Sequence, residues 1–433
     1  MSGGVAAAAG SPLSAGWRRL RQCSFWMPAA DAFAVLTAAS LPWSTSLTGI
    51  FSACWIGSAA MVVDYPQYFR SLRQPACALP LALFALAVVG MAWSEASWDA
   101  RFHAASPAVK LLFLPGLFHH FARSSRGMWV FAAFLVSCVL LMMVSWLVVL
   151  VPGLSLQGAT PDLVAPQRGV FVKNYIDQSQ EFALCAVALC YPVVVLLRDG
   201  KIRSATLLAA VALGFLANLV FVIVSRTALV TMPVMLAVFA ALHLRWRTSA
   251  MVVAAATLGV AAALIASPHL RSTATSVLTD YQLYKERNLP TSGGLRLEYW
   301  RKSLQFIADA PLAGHGTGST RKLFERAAEG VSADTASGYV IDNPHNQTLH
   351  VAVQWGLPAV VLLWAMWASH LWLFRGDGMV AWIGLLVVVQ NIASSMLNSH
   401  LFDFHEGWMY VLGVGVAGGM VQKQLAISAG EPA

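Results

Sequence analysis

Charged residues are scarce in this sequence. Only 11% of its 433 residues are Asp, Glu, Lys or Arg, whereas 58% are hydrophobic. A soluble domain carries about 25% charged residues, so this chain has too few to cover a water-soluble body of its size. The remaining apolar surface calls for lipid as its solvent. Sixteen Trp residues suit that environment, because Trp favours the interface between membrane and water.

Several patterns that carry chemistry elsewhere are also missing. The six cysteines include no Cys-x-x-Cys pair, which disfavours a zinc site and a disulfide framework. No Asp-x-Asp pair occurs, which excludes a hard-cation site built on one. The net charge of +8 is not gathered on one arm or helix face, which argues against nucleic acid as a partner. We therefore expect no metal, no cofactor and no nucleic acid.

The apolar residues occur in long runs. A spanning helix needs about 20 predominantly apolar residues. By that measure the sequence predicts an all-α polytopic membrane protein with about twelve transmembrane helices. A retained first helix is favoured over a signal peptide, because no small-residue cleavage site follows the Arg-rich N-terminus. The predicted spans are 25–42, 46–63, 76–94, 107–121, 127–151, 178–197, 204–224, 227–242, 249–267, 346–374, 379–398 and 407–422.

The basic residues predict the orientation of these spans. About 14 of the 28 Lys and Arg residues fall in alternate linkers and at the two termini, which the positive-inside rule places in the cytoplasm. The short linkers on the opposite side hold only Arg101, Lys110, Arg168 and Lys173. An even number of spans agrees with two cytoplasmic termini.

Two linkers on the non-cytoplasmic side are long, and such length usually signals function. They divide the chain into residues 1–267, with nine spans and an outer loop near 152–177, a large loop over 268–345, and residues 346–433, with three spans and a short tail. The large loop contains a predicted amphipathic helix, which follows Gly293-Gly294 and ends before Pro311. One face of that helix carries, at helical spacing, Leu297, Trp300, Leu304 and Ile307.

His345 is the sharpest candidate for catalysis. It follows Asn343 and Pro344, which are typical of an N-cap and a first helical position, so His345 is expected in the first turn of the tenth span. The helix dipole there disfavours an imidazolium, and a general base must be neutral. The alternative is a histidine that only caps the helix.

Two arginines are candidates for binding a phosphate. Arg226 stands between two apolar runs, at the predicted outer boundary of the membrane, where a charge is costly and suggests function. Arg296 opens the loop helix after Gly293-Gly294, where free N–H groups and a guanidinium would suit an anion. The alternatives are an arginine that snorkels to lipid headgroups and a solvated loop arginine.

Four further residues are candidate substrate contacts: Arg168, Lys173, Asn346 and Arg301. The first two put positive charge on the side where the positive-inside rule disfavours it. Asn346 adjoins His345, and Arg301 lies on the loop helix with Arg296. The alternative for the basic residues is an ordinary solvated position.

Two other motifs are weaker. The stretch from Gly314 to Gly318 resembles a phosphate loop but lacks its Gly-Lys-Ser/Thr ending, so a tight turn is favoured. An outer cluster has residue types that bind metals, but its spacing fits no standard zinc pattern, and a structural or gating role is favoured; its members are His400, Asp403, His405 and Glu406.

Taken in order, three stretches resemble the superfamily of O-antigen ligases and polymerases in bacterial envelopes. They are Ser225-Arg226-Thr227, Arg296 to Trp300 running on to Ala310–Gly316, and Asn343 to Leu349 followed by Trp355-Gly356-Leu357. A fainter match is Arg168 to Phe171 with Asn174. The motifs cover roughly 205–365, and Thr227 departs from the Gly that many members have after the Arg.

The resemblance implies a GT-C-like glycosyltransferase of the bacterial inner membrane whose active site faces the periplasm. The donor would be a glycan on undecaprenyl diphosphate, the acceptor a sugar of lipid A–core, and the transfer inverting and metal-independent. The essential histidine of the family maps to His345, and its essential arginines map to Arg226 and Arg296. The short C-terminal tail favours a ligase over protein-glycosylating relatives.

Other functions stay open at this point. An O-antigen polymerase would join the glycan to another repeat unit. A lipid-linked glycan flippase or other transporter is disfavoured, because its charges usually lie near the bilayer midplane and its halves repeat. A nonenzymatic envelope scaffold does not account for His345 together with Arg226.

Overall fold

The computed structural model describes residues 24–151, 169, 170, 172, 174–223 and 225–430. Every regular element within them is helical. The first nine α-helices are α1 Trp26–Ser40, α2 Thr45–Val62, α3 Tyr65–Ser71, α4 Pro75–Val89, α5 Trp98–Ala105, α6 Phe113–Arg123, α7 Gly127–Leu150, α8 Tyr175–Ala188 and α9 Cys190–Arg198. The others are α10 Ile202–Phe221, α11 Arg226–His243, α12 Trp246–Ala266, α13 Pro268–Arg287, α14 Ser292–Asp309, α15 Thr320–Ala327, α16 Gln347–Leu373, α17 Met379–Ser395 and α18 Phe404–Ser428. Short 3₁₀ helices cover Gly90–Trp93, Ser106–Leu112 and Ala336–Gly338.

Among the described residues, seven helical stretches are long and apolar enough to cross a membrane: Thr45–Val62, Pro75–Trp93, Gly127–Leu150, Tyr175–Arg198, Ile202–Phe221, Arg226–His243 and Gln347–Leu373. The chain is therefore an all-α polytopic membrane protein, as its composition predicts. The count of twelve spans stays a prediction.

The predicted span 107–121 has an unexpected form. Its first part is the 3₁₀ helix Ser106–Leu112, and only the 11 residues of α6 are α-helical. Both ends of α6 are packed inside the bundle, where Leu114, Phe118 and Phe121 are fully buried. A helix of 11 residues rises only about 16 Å, roughly half of the hydrocarbon core.

The main core joins the apolar faces of the spanning helices. Helix α18 packs on α6 and α17, α1 packs on α2 and α7, and α16 packs on α4. Large side chains fill the centre, among them Phe118, Trp367, Leu386 and Tyr410. Each of these is under 2% exposed, so the bundle offers a rigid platform for the loop residues above it.

Residues 268–346 fold onto this bundle through α13, α14 and α15. A second small core joins Tyr299 and Phe306 of α14, Phe324 of α15 and Val353 of α16. The amphipathic helix predicted from the sequence is present, but its buried face is shifted: Trp300 and Ile307 pack against this core, whereas Leu297 and Leu304 are exposed. Leu304 is 59% exposed, whereas Tyr299, Ser303 and Phe306 are buried. Hydrophobic spacing misplaced the face because the buried side includes Glu298 and Lys302, each of which has hydrogen-bond partners.

A break in α16 seats the end of the loop. Gly356 has φ 73° and ψ −174°, so the helix is interrupted there. The loop after α14 fills the break: the His315 N–H donates to Val353 O (2.9 Å), and the Leu357 N–H donates to Pro311 O (2.8 Å). A Cβ at Gly356 would lie 2.5 Å from Leu312 O, so glycine is needed both for its φ and for this approach.

Candidate functional site

His345 lies in the loop directly before α16. The N-cap of α16 is Asn346, whose side chain accepts from the Leu349 N–H, so the expectation that Asn343 caps the helix and His345 lies in its first turn is wrong. Instead His345 has a left-handed backbone, with φ 53°. Its N–H donates to Asn343 Oδ1 at 2.9 Å, which holds that conformation. A non-glycine residue in this region costs about 1 kcal/mol or more, and such strain clusters at functional sites.

A chain of hydrogen bonds orients the His345 ring. Asn398 Nδ2 donates to Asp403 Oδ2 at 3.0 Å, which turns the amide oxygen toward His345. His345 Nδ1 is 2.7 Å from that oxygen, and because an amide oxygen only accepts, Nδ1 carries the hydrogen. The lone pair is then on Nε2, the atom that could accept a proton from a substrate.

Protonation of Asp403 would leave the direction of these hydrogen bonds unchanged. Burial raises the pKa of Asp403, the neighbouring charge of Lys110 opposes the rise, and Asp177 adds to it. A proton on the other oxygen of the carboxyl group still leaves the one facing Asn398 as an acceptor.

The environment of His345 favours the neutral ring. Burial lowers its pKa, the hydrogen bond that its Nδ1–H donates to Asn398 Oδ1 raises it, and the positive charge of Arg296 lowers it further. The neutral imidazole expected from the sequence is thus supported by desolvation and a nearby cation. The ring also lies 6.0 Å from the ring of Tyr299, which is buried in the loop core.

Arg226 is the first residue of α11, with Ser225 as its N-cap, as its apolar flanks predict. Its Nη1 donates to Asp280 Oδ2 at 2.9 Å and its Nη2 donates to Ser276 Oγ at 2.7 Å, so helix α13 holds the guanidinium. The side chain is 27% exposed and that of Asp280 16%. The ion pair is therefore half-buried and open on one side.

Arg296 stands in the second turn of α14 and is partly buried. No hydrogen-bond or ion-pair partner for its guanidinium is found in the described part of the chain. Burial lowers its pKa, Tyr175 opposes this, and Arg226 lowers it further, so the two arginines are close enough to repel. Arginine keeps its charge under such shifts. Among the described residues, Asp280 is the one carboxylate paired with either guanidinium group, and this excess of positive charge favours an anion as ligand.

The predicted helix N-terminal anion site beside Arg296 is already engaged. The Gly293 N–H donates to Asp280 Oδ2 at 3.3 Å, and the Gly294 N–H donates to Thr291 Oγ1 at 3.2 Å. Asp280 thus receives hydrogen bonds from both Arg226 and this helix end.

The four candidate substrate contacts have different positions. Asn346 is tied up at both ends, since Nδ2 donates to Met396 O at 3.0 Å and Oδ1 caps α16. Arg301 forms an ion pair with Glu298 on its own helix. Their roles toward a substrate stay predictions, and Arg168 and Lys173 lie outside the described residues.

A cluster of buried ionisable side chains lies beyond Asn398. His405 Nδ1 is 2.7 Å from Asp177 Oδ2, and Lys110 Nζ donates to the Phe402 carbonyl at 3.1 Å. His400 Nε2 lies 3.9 Å from Asp403 Oδ2 and 3.8 Å from Glu406 Oε1, too far for hydrogen bonds.

Three of these side chains could also hold a cation. One ligand atom from each of His400, Asp403 and Glu406 lies within 4.8 Å of the others. Nitrogen and carboxylate donors in such a group suit a divalent ion, although the sequence predicts metal independence. A test of metal dependence should therefore include variants of this cluster.

Sequence reasoning missed several of these residues. Asp280 and Asn398 carry no local motif, because their partners Arg226 and His345 are remote in the chain. Lys110 gave a usable signal, since it falls inside an apolar run, where a charge suggests function.

The stretch from Gly314 to Gly318 forms a series of turns. The sequence favours a turn there over a phosphate loop. The Gly316 N–H donates to Gln354 O at 2.8 Å, and the Gly318 N–H donates to Gln354 Oε1 at 2.7 Å. Its amides bind the protein itself, so this stretch seats the loop on α16.

Residues 209–364 match the family model for O-antigen ligase. No curated protein matches the chain. The matched region begins within α10 and ends within α16, so it contains Arg226, Arg296 and His345 together with Asp280 and the loop helices. Residues 209–364 of this all-α polytopic membrane protein are thus similar to the O-antigen ligase domain.

Proposed function

We propose that this protein is an O-antigen ligase of lipopolysaccharide biosynthesis. It transfers a glycan from undecaprenyl diphosphate to a sugar hydroxyl of lipid A–core, at the periplasmic face of the bacterial inner membrane. The proposal rests on a partly buried Arg296, which has no partner among the described residues, on its neighbour Arg226, and on a neutral, oriented His345. Anion binding and proton removal then lie side by side.

The two arginines act on the leaving group. Cleavage of the glycosidic bond to the diphosphate leaves negative charge on the phosphate oxygen. Guanidinium groups fixed near that oxygen stabilise the charge as it forms. Arg296 is the first to engage the donor, because its donors are not used by neighbouring residues of the described chain.

His345 acts on the acceptor. Nε2 takes the proton from the attacking hydroxyl, while Nδ1–H stays hydrogen-bonded to Asn398. A positioned general base contributes about 10²–10⁴-fold to a rate. Attack from the side opposite the diphosphate inverts the anomeric centre. Each step uses side chains of the protein alone, so the proposal includes independence from metals.

An O-antigen polymerase is the second candidate, since it uses the same donor and differs only in the acceptor. The shared chemistry of the site supports both. The ligase is proposed because residues 209–364 match the family model for O-antigen ligase.

The deciding experiment combines the purified protein with undecaprenyl-diphosphate glycan and lipid A–core. A glycan-bearing lipid A–core is the expected product. Longer lipid-linked glycan formed without lipid A–core would identify a polymerase. If the protein binds the donor but forms neither product, both the ligase and the polymerase function are contradicted.

Variants separate the proposed roles. His345→Ala should abolish transfer and still bind an undecaprenyl-diphosphate analogue. Arg226→Ala and Arg296→Ala should weaken both binding and transfer, and Lys at either position should restore only part, because it keeps the charge without the planar fork. Arg321→Ala is the matched control, since Arg321 pairs with Glu325 at an exposed position. If His345→Ala lost binding of the analogue while the Arg variants kept both binding and transfer, the roles assigned to His345 and the arginines would be wrong.

A further inference from the structure

Asp280 occupies the place where the proposed site needs an anion. Its Oδ2 accepts from Arg226 Nη1 at 2.9 Å and from the Gly293 N–H at 3.3 Å. A guanidinium and the N-terminus of a helix are the two groups that proteins most often turn toward a phosphate. The carboxylate therefore meets the donors that a phosphate oxygen would use.

Local structure holds Asp280 close to that helix end. Thr291 Oγ1 donates to the Asp280 carbonyl at 2.8 Å, which ties helix α13 to the start of α14. A Cβ at Gly293 would lie 3.3 Å from the Asp280 Cβ, so the glycine makes room for the aspartate. The contact is a specific fit between two helices.

The charges around Arg226 and Arg296 show that this carboxylate has a cost for substrate binding. Arg226 is held by Asp280, whereas Arg296 has no such partner among the described residues. A diphosphate that reaches both arginines has to compete with Asp280 for Arg226. Such competition lowers the apparent affinity by the fraction of molecules in which the internal pair is closed.

We propose that Asp280 is an internal stand-in for the donor's phosphate, and that it returns to Arg226 to help release undecaprenyl diphosphate after transfer. This inference rests on the proposed function. The product still carries the whole diphosphate, with one more ionisable oxygen than the donor, so it binds two arginines at least as well as the donor does. A carboxylate that competes for one arginine speeds its departure. Asp280 is thus a positioning residue that acts through Arg226.

Asp280→Asn tests this role, because it removes the charge and retains an oxygen for the Gly293 N–H. We expect undecaprenyl diphosphate to bind about fivefold more tightly, the size expected when a partly exposed competing ion pair is removed. A single turnover with prebound donor should proceed at the normal rate. Steady-state kcat should fall, because product release becomes slower.

Two further variants make the result specific. Glu286→Gln removes an exposed charge from the same helix and should leave binding and turnover unchanged. In an Arg226→Ala background, Asp280→Asn should have no effect on product affinity, since the guanidinium for which Asp280 and the diphosphate compete is gone. Thermal unfolding of each variant checks that helix α13 stays folded.

The outcomes separate this inference from the proposed function. If the wild-type protein binds no undecaprenyl diphosphate, the proposed function fails. If the wild type binds it and Asp280→Asn binds it equally or more weakly, Asp280 only holds Arg226 in place and the stand-in role is wrong. If Glu286→Gln raised the affinity for undecaprenyl diphosphate equally, the effect would reflect net charge alone, and the stand-in role of Asp280 would be wrong.

Discussion

Replacing Asn398 by Ala should slow transfer sharply without weakening donor binding. The substitution removes the 2.7 Å hydrogen bond from His345 Nδ1 and the 3.0 Å hydrogen bond to Asp403. Each such bond contributes about 1 kcal/mol, so their joint loss is worth about 2 kcal/mol. If all of it is lost from the transition state, kcat/KM falls about 30-fold, since 1.36 kcal/mol is tenfold. Donor affinity should not change, because neither bond involves an arginine.

The pH profile distinguishes orientation of His345 from a general loss of structure. The hydrogen bond that His345 donates to Asn398 raises the pKa of His345, so its removal should lower that pKa further. The acid limb of kcat/KM, where the base becomes protonated, should therefore move to lower pH. Damage to the fold alone would lower the rate and leave the position of the limb unchanged.

The assay is ligation by purified protein across a pH series, with donor binding and thermal unfolding measured beside it. Asn391→Ala is a matched control, because Asn391 is a buried asparagine that accepts from Trp367 Nε1 on the neighbouring helix. Full activity in Asn398→Ala, or an acid limb that moves upward, would refute the role given to this hydrogen-bond chain.

The other predictions concern His345, metals, topology and the loop. Since burial lowers the pKa of His345, the wild-type acid limb of kcat/KM should lie below the ordinary histidine value of about 6.5, and a limb above it would exclude His345 as the base. Transfer should survive excess EDTA, and a loss that Mg²⁺ or Mn²⁺ reverses would point to a cation held by His400, Asp403 and Glu406. A single cysteine at the exposed Glu329 should react with an impermeant label in intact cells once the outer membrane admits it, and labelling only after the inner membrane is opened would invert the topology. Gly356→Ala should lower stability by about 1–3 kcal/mol because of its φ of 73°, measured by thermal unfolding against Gly57→Ala, where a Cβ meets open space.

The fold was more predictable than the geometry of the site. Apolar runs located helices such as Gly127–Leu150 and Gln347–Leu373 to within a residue or two, because lipid requires both length and low polarity. The span at 107–121 stays a prediction, because it forms a 3₁₀ helix and a short α-helix whose apolar residues face other helices. Composition alone cannot tell burial in protein from burial in lipid.

The key side chains were found by different kinds of signal. His345 and Arg226 stand out locally, by a helix start and by charge between apolar runs. Their partners Asn398 and Asp280 are 53 and 54 residues away, and no spacing rule links them. The left-handed backbone at His345 was also missed, because the side chain of Asn346 competes successfully with Asn343 as the helix cap.

The buried Lys110 has a consequence for how the protein is made. Its Nζ donates a hydrogen bond to the carbonyl of Phe402, which is 292 residues later in the chain. At about 5–20 residues per second, the ribosome takes roughly 15–60 s to synthesise that partner. During this interval a costly charge has no final partner in the bilayer. We expect α6 to enter its place only when the C-terminal helices arrive. A nascent chain arrested before residue 395 should leave residues near 110 open to protease, and their protection at that length would contradict this order of assembly.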